Sequence, residues 1–190
     1  MKHIVILGGE SVMMSQLVGV MDFFTICNTY WQVRTRDPKV RLFNVTVASP
    51  DGEDIRADSG VIIPAKATPE LNGVDAVIMT AGMAYDKASI EAYYDNIRDF
   101  APFLREANSC KIPIGAFCSA TFVVAKMGLL RGKQATTIWW LSDLFRQWFP
   151  STSLVLKQLV VRDEHVFTGG ASTSYISLCL SLLEHLYDGQ

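Results

Sequence analysis

Cys118 is the side chain in this sequence best placed to act as a nucleophile. Residues 112–117 form an apolar run of parallel-strand length, and residues 119–127 read as a helix that Gly128 closes. A cysteine at such a strand-to-helix corner projects above the sheet edge. Its sulfur then lies beside free N–H groups, whose positive potential favours a thiolate. This is nucleophile-elbow geometry with Cys in place of Ser. Gly115 and Ala116 before the corner and Ala120 after it keep it uncrowded. The competing reading of the same residue is a small hydrophobe buried at a strand end.

Two other loops are candidates to face this corner. Residues 3–7 are an apolar run that delivers Gly8-Gly9-Glu10, and residues 75–80 are another that delivers Ala81-Gly82-Met83. Loops at the carboxyl ends of buried strands form the usual ligand edge of an α/β sheet. A glycine there lets backbone N–H groups approach a ligand. Gly8 and Gly9 lack the later glycine of a dinucleotide fingerprint, so they read as a tight turn. His3 begins a strand, His165 lies on a late strand and His185 falls in the terminal helix, so each reads as a structural or surface residue.

The positioning elements follow from periodicity. Between residues 15 and 33, Leu17, Val20, Met21, Phe24, Cys27 and Trp31 recur at helical spacing, which predicts a helix packing one face on the sheet. Residues 41–48 alternate as a second strand before a turn at 49–52. Segments 53–58 and 61–64 read as two short strand pieces around Ser59-Gly60, forming a small edge hairpin. Residues 89–107 are helical in pattern, kinked or divided at Pro102. A short strand at 135–137 and a helix at 139–148 follow, with Trp139, Trp140 and Trp148 assigned to packing. Segments 154–162 and 165–168 are expected as late strands joined by a turn at Asp163-Glu164. A final helix is expected to run to about residue 187, with Ser172 or Thr173 as N-cap. Strands alternating with helices predict a three-layer α/β/α sandwich around a mostly parallel sheet, in one domain spanning 1–190.

Composition narrows the function classes. Apolar residues make up 49% and charged residues 19%, as in a compact globular core. A net charge of −2 with dispersed Lys and Arg provides no basic stripe for nucleic acid. Cys27, Cys110, Cys118 and Cys179 have neither close pairing nor metal-ligand spacing, which points to a reducing cytoplasm and to no metal or cofactor. The apolar stretches are too short to span a membrane.

Taken together, the motifs resemble the ThiJ/PfpI branch of the class I glutamine amidotransferase-like superfamily, a flavodoxin-like fold. The carriers are Thr80-Ala81-Gly82-Met83 in the place of the glycine-rich oxyanion loop, residues 114–120 at the elbow, Gly169-Gly170-Ala171-Ser172, and above all residues 128–140. That last segment is similar to the amidotransferase-like N-terminal domain of AraC-family transcription regulators. In those proteins the domain precedes a helix-turn-helix DNA-binding domain, which this chain is expected to lack. The resemblance implies a homodimer, and DNA contact only through that further domain.

Enzymes of the superfamily pair the elbow cysteine with a histidine and an acid, because a thiol is only partly ionised at neutral pH. Both partners are replaced here. The histidine's place in a Thr-Thr-His-Trp pattern is taken by Ile138, and alignment of Leu17-Val18-Gly19 puts Gln16 at the acid. Ser119 stands where peptidase-like members carry a histidine. Glu10 lies nearby in sequence as a substitute acid. General-base assistance contributes about a hundredfold to ten-thousandfold in rate, so loss of both partners leaves thiol chemistry feeble.

The expectation is therefore a non-catalytic, ligand-sensing domain. Its pocket would hold Cys118 and Ser119 at the floor, Gly82 and Met83 on one wall, Gln16 and Glu10 on a second, and Ile138 and Ser172 at the rim. A small-molecule effector binding there would alter the packing of two copies. The alternatives are a cysteine-dependent hydrolase or hydratase in which Glu10 tunes Cys118, and a redox-responsive thiol module.

Overall fold

The computed structural model describes residues 1–187, so the expected domain end at Gln190 lies outside the described residues. Among the described residues there are ten strands: β1 (Lys2–Leu7), β2 (Phe43–Ala48), β3 (Ile55–Arg56), β4 (Ile62–Ile63), β5 (Ala76–Met79), β6 (Ile114–Phe117), β7 (Gln134–Ala135), β8 (Ser153–Leu154), β9 (Val160–Asp163) and β10 (Val166–Gly169). The helices are α1 (Met14–Thr35), α2 (Lys87–Ile97), α3 (Ala101–Ser109), α4 (Ala120–Lys126), α5 (Ser142–Trp148) and α6 (Tyr175–Tyr187).

Six strands form one sheet in the order β2-β1-β5-β6-β10-β9. All pairs are parallel except β9 with β10. Without that antiparallel edge strand, the order is the flavodoxin-like one, and the chain reverses direction across the sheet between β1 and β5. The carboxyl ends of these two strands therefore open a crevice. Parallel strands covered on both faces must be apolar throughout. Accordingly Ile4 to Leu7, all of β5 and all of β6 are buried. Helices α1 and α6 pack on each other over one face, and α3 and α4 pack on β6.

Local chemistry sets several boundaries. Pro102 divides the predicted 89–107 helix by opening α3 at its first turn, after a 3₁₀ turn at Arg98–Phe100. Asp86 caps α2 in a reciprocal capping box with Ser89. The Asn28 side chain accepts from the N–H of Leu42 and of Phe43, each at 2.9 Å, and donates to Phe43 O, clamping α1 to the start of β2.

Three expectations are corrected. The segment 154–162 is two strands, β8 and β9, because residues 155–159 leave the ladder in a turn. Neither Ser172 nor Thr173 caps the last helix. Both lie in a 3₁₀ turn, Ser172–Ser174, that precedes α6 and has Ala171 at its cap position without a side-chain bond. Trp139 and Trp140 are not core: they are 69% and 45% exposed, because the 3₁₀ turn Trp139–Leu141 turns only Leu141 inward. Trp148 does pack, edge-on to Phe122.

Candidate functional site

The corner between β6 and α4 is built as an elbow. Cys118 has φ +57°, a left-handed conformation that a non-glycine residue holds only when its surroundings impose it. Its N–H donates to Gly169 O at 3.1 Å and Gly170 O at 2.9 Å, and its carbonyl accepts from Thr137 Oγ1 at 3.0 Å. The loop after β10 and the segment after β7 thus hold the corner from two sides.

Gln16, in the first turn of α1, is fully buried beside it. Its Oε1 accepts from the Ala81 N–H at 3.2 Å, and its Nε2 donates to Met13 Sδ at 3.2 Å. Gln16 is also close enough to Cys118 to favour its thiolate, an effect smaller than that of burial. The amide oxygen offers the backbone an acceptor at every pH. Ser119 Oγ donates to Gly82 O at 2.8 Å, tying the elbow to the loop after β5. Cys118, Gln16, Ser119 and Gly82 therefore lie together around this corner.

The thiol is not the thiolate that an elbow suggests. Cys118 is 3% exposed. Burial is the dominant influence and pushes its pKa above the ordinary thiol value. Hydrogen bonds from the Ser119 backbone, Gln16 and the Ser119 side chain pull the other way with less effect. Helix α4 has only seven residues, too short to outweigh that desolvation.

The remaining predicted residues divide. Glu10 is exposed and turned away: its carboxylate accepts from the Arg56 N–H at 3.0 Å, and it lines a separate hollow with Asp51, Asp54 and Asp99. Tuning of Cys118 by Glu10 thus finds no contact. Ile138 is fully buried directly after Thr137, which tethers it to the elbow. Met83 is 47% exposed and lines a hollow of about 300 Å³ with Ser11, Asp58, Tyr85, Tyr93 and Asn96. Ser172 is half-buried, two residues beyond the Gly170 carbonyl that holds the elbow.

Tyr93 is a site residue that sequence reasoning missed, since one aromatic on a helix face reads as core. It is buried, donates to Thr80 O at 3.0 Å and lies close enough to Cys118 for their charges to interact. Burial raises its phenol pKa far above the ordinary value. A Cβ on Gly82 would stand 2.7 Å from Tyr93 Cγ. We expect Gly82→Ala to displace the ring and cost about 1–3 kcal/mol, as overpacking does. Urea unfolding reads this directly, and an unchanged midpoint would show the ring to be loosely held.

The DJ-1/PfpI family profile matches residues 33–185. The chain belongs to the DJ-1/PfpI family. Among relatives by sequence, the HTH-type transcriptional regulator CdhR of Pseudomonas aeruginosa is 27% identical over 150 residues, covering 78% of this chain and 42% of that protein. Isonitrile hydratase of Pseudomonas putida is 35% identical over 85 residues, covering 44% and 36%. The chain thus spans about two fifths of the length of these curated relatives. Among solved structures, Drosophila melanogaster DJ-1beta superposes with a TM-score of 0.76 at 20% identity, covering 97% of this chain and 90% of that one. An AraC family transcriptional regulator from Pseudomonas putida gives 0.74 at 14%, covering 98% and 93%. These structural likenesses establish the DJ-1/PfpI fold. Among the described residues, no helix is long and apolar enough to cross a membrane.

Proposed function

We propose that this DJ-1/PfpI domain is a non-catalytic, ligand-sensing domain of an AraC-type transcription regulator. What supports this is the surroundings of Cys118: the resemblance puts Gln16 in the acid's place and Ile138 in the base's, and both side chains are fully buried. Neither side chain moves a proton, and the thiol they surround is buried and held neutral. The similarity to CdhR supports the regulatory assignment.

The effector site is the hollow formed by Ser11, Asp58, Met83, Tyr85, Tyr93 and Asn96, which adjoins the elbow through Tyr93 and the Gly82-Met83 loop. A small polar or partly apolar metabolite there would bear on the loops after β1 and β5. These loops are laced together by the Val12–Gly82 bridge and the Met13 N–H to Ala81 O bond. The output is a change in the packing of two copies, with DNA contact assigned to a helix-turn-helix domain beyond these residues. Thermal-shift screening of a polar-metabolite panel, with sedimentation velocity for oligomeric state, tests this. A stabilising metabolite should lose its effect in Tyr85→Ala and Asp58→Ser. A shift that survives both variants removes the hollow from consideration.

The second reading, a hydratase, is favoured by the 35% identity to isonitrile hydratase. Hydration of an alkyl isonitrile adds one water to give the N-alkyl formamide, which proton NMR follows. We expect no turnover above that of Cys118→Ser. Turnover abolished by that substitution would establish the enzyme.

A further inference from the structure

A second hollow lies across α2 from the one beside the elbow. Glu91 of α2, Lys126 at the end of α4, and Trp148 and Phe149 where α5 ends line it, around about 260 Å³. Lys87, Glu91 and Tyr94 share this face of α2, being four and then three residues apart, whereas Ser89, Ala92 and Asn96 at the hollow beside the elbow occupy the opposite face.

The floor is aromatic and fixed. Phe122, fully buried one turn before Lys126 on α4, holds Trp148 and Phe149 edge-on with centroids 6.0 and 6.2 Å away, and Phe145 packs on Phe149 at 5.0 Å. The charges above this floor do not balance. Lys87 pairs with Glu91 at 3.8 Å and leans over the Trp148 ring. Lys126 lies 4.0 Å over the Tyr94 ring and makes no hydrogen bond or ion pair among the described residues. The ring attracts the ammonium by its negative face but offers it no lone pair, so its N–H donors stay available. Two cations and one carboxylate leave an unmatched positive charge at the edge of an aromatic floor.

We propose that this hollow binds a small aromatic monoanion, an arylalkanoate whose carboxylate meets Lys126 and whose ring lies on Trp148 and Phe149. The volume, just under the roughly 300–1,000 Å³ of drug-sized sites, sets one ring and a short chain. A carboxylate supplies the charged acceptors that the ammonium lacks. A second copy of the chain fits less well, because a two-fold contact centred here opposes two hollows of like charge. The site is distinct from the elbow and does not depend on the sensor reading.

The probe is sodium 3-phenylpropanoate, titrated by NMR into isotope-labelled protein at constant ionic strength. At the binding energy per atom usual for small ligands, its Kd is on the order of a millimolar. The indole N–H signal of Trp148, identified by its loss in Trp148→Phe, should shift saturably, and those of Trp31, Trp139 and Trp140 should not. Lys126→Met, at an exposed position, removes the charge and should weaken binding at least about tenfold. The neutral phenylpropanol should be weaker than the acid by a similar factor. Glu91→Gln frees Lys87 and should tighten binding about twofold. An absent or unsaturable shift, or an affinity unchanged in Lys126→Met, overturns the proposal. Tighter binding of phenylalanine than of phenylpropanoate, lost in Glu91→Gln, overturns it in favour of a zwitterion. A Trp148 signal that moves with protein concentration before any probe is added overturns it in favour of a second copy.

Discussion

Iodoacetamide at pH 7.5 should modify Cys110 at least about a hundred times faster than Cys118 in the folded protein. Cys110 is exposed and serves as the internal reference, whereas Cys118 is 3% exposed behind Gln16 and Ser119. A covered thiol reacts only when its surroundings open. An opening free energy of about 3 kcal/mol already suppresses modification by about a hundredfold. The raised Cys118 pKa slows the reaction further by depleting thiolate. The rate at Cys118 should therefore still be climbing above about pH 9, where an unperturbed thiol near 8.5 has begun to level off. Peptide mapping with Cys118→Ser as the blank separates the two sites. A Cys118 rate equal to that of Cys110, or a plateau below about pH 7, would return the enzyme and redox readings to the front.

Gln16→Glu should make stability depend on pH with a definite sign. The new carboxyl would be buried between the Ala81 N–H, Met13 Sδ and the Cys118 thiol, with no cation among these contacts. Desolvation raises its folded pKa above the unfolded value of about 4.3, so the folded state holds the proton more tightly. The variant is then closest to the wild type below about pH 4, where the neutral acid is present in both states. Its relative stability falls as pH rises from there towards the folded pKa, by up to about 3.5 kcal/mol at pH 7. Gln16→Ala, in contrast, leaves the Ala81 N–H without its partner and should cost about 1–3 kcal/mol at all pH values. Urea unfolding of wild type and both variants at pH 4.5 and 7.5 distinguishes them. A loss in Gln16→Glu that does not change with pH would mean that the carboxyl reaches solvent.

Both predictions turn on a cluster that the sequence showed only in outline. The elbow was legible because strand, cysteine and helix are consecutive, and a parallel-sheet strand reveals itself by apolar residues on both faces. The Gly82 loop was legible as the glycine-bearing carboxyl end of a buried strand.

Other features depended on residues far apart in the chain. The state of the Cys118 thiol is one, because desolvation is set by neighbours drawn from α1, α2 and the loops after β5, β7 and β10. The sequence-level argument from helix N–H groups had the sign of their contribution right and left out the larger opposing one. Glu10 is another: it is near Gln16 in sequence, yet its carboxylate turns to the Arg56 N–H in β3. The exposed Trp139 and Trp140 were misjudged for a related reason, since aromatic type does not say which way a ring faces at a turn.

The sequence by itself determined the fold class and the strand-cysteine-helix elbow, because each is written in local periodicity. Only the tertiary structure decided that Gln16 is buried against the Ala81 N–H, that Glu10 turns away, and that Cys118 is covered and neutral. Contact and dielectric environment are properties of residues brought together across the sheet, and no short stretch of chain encodes them.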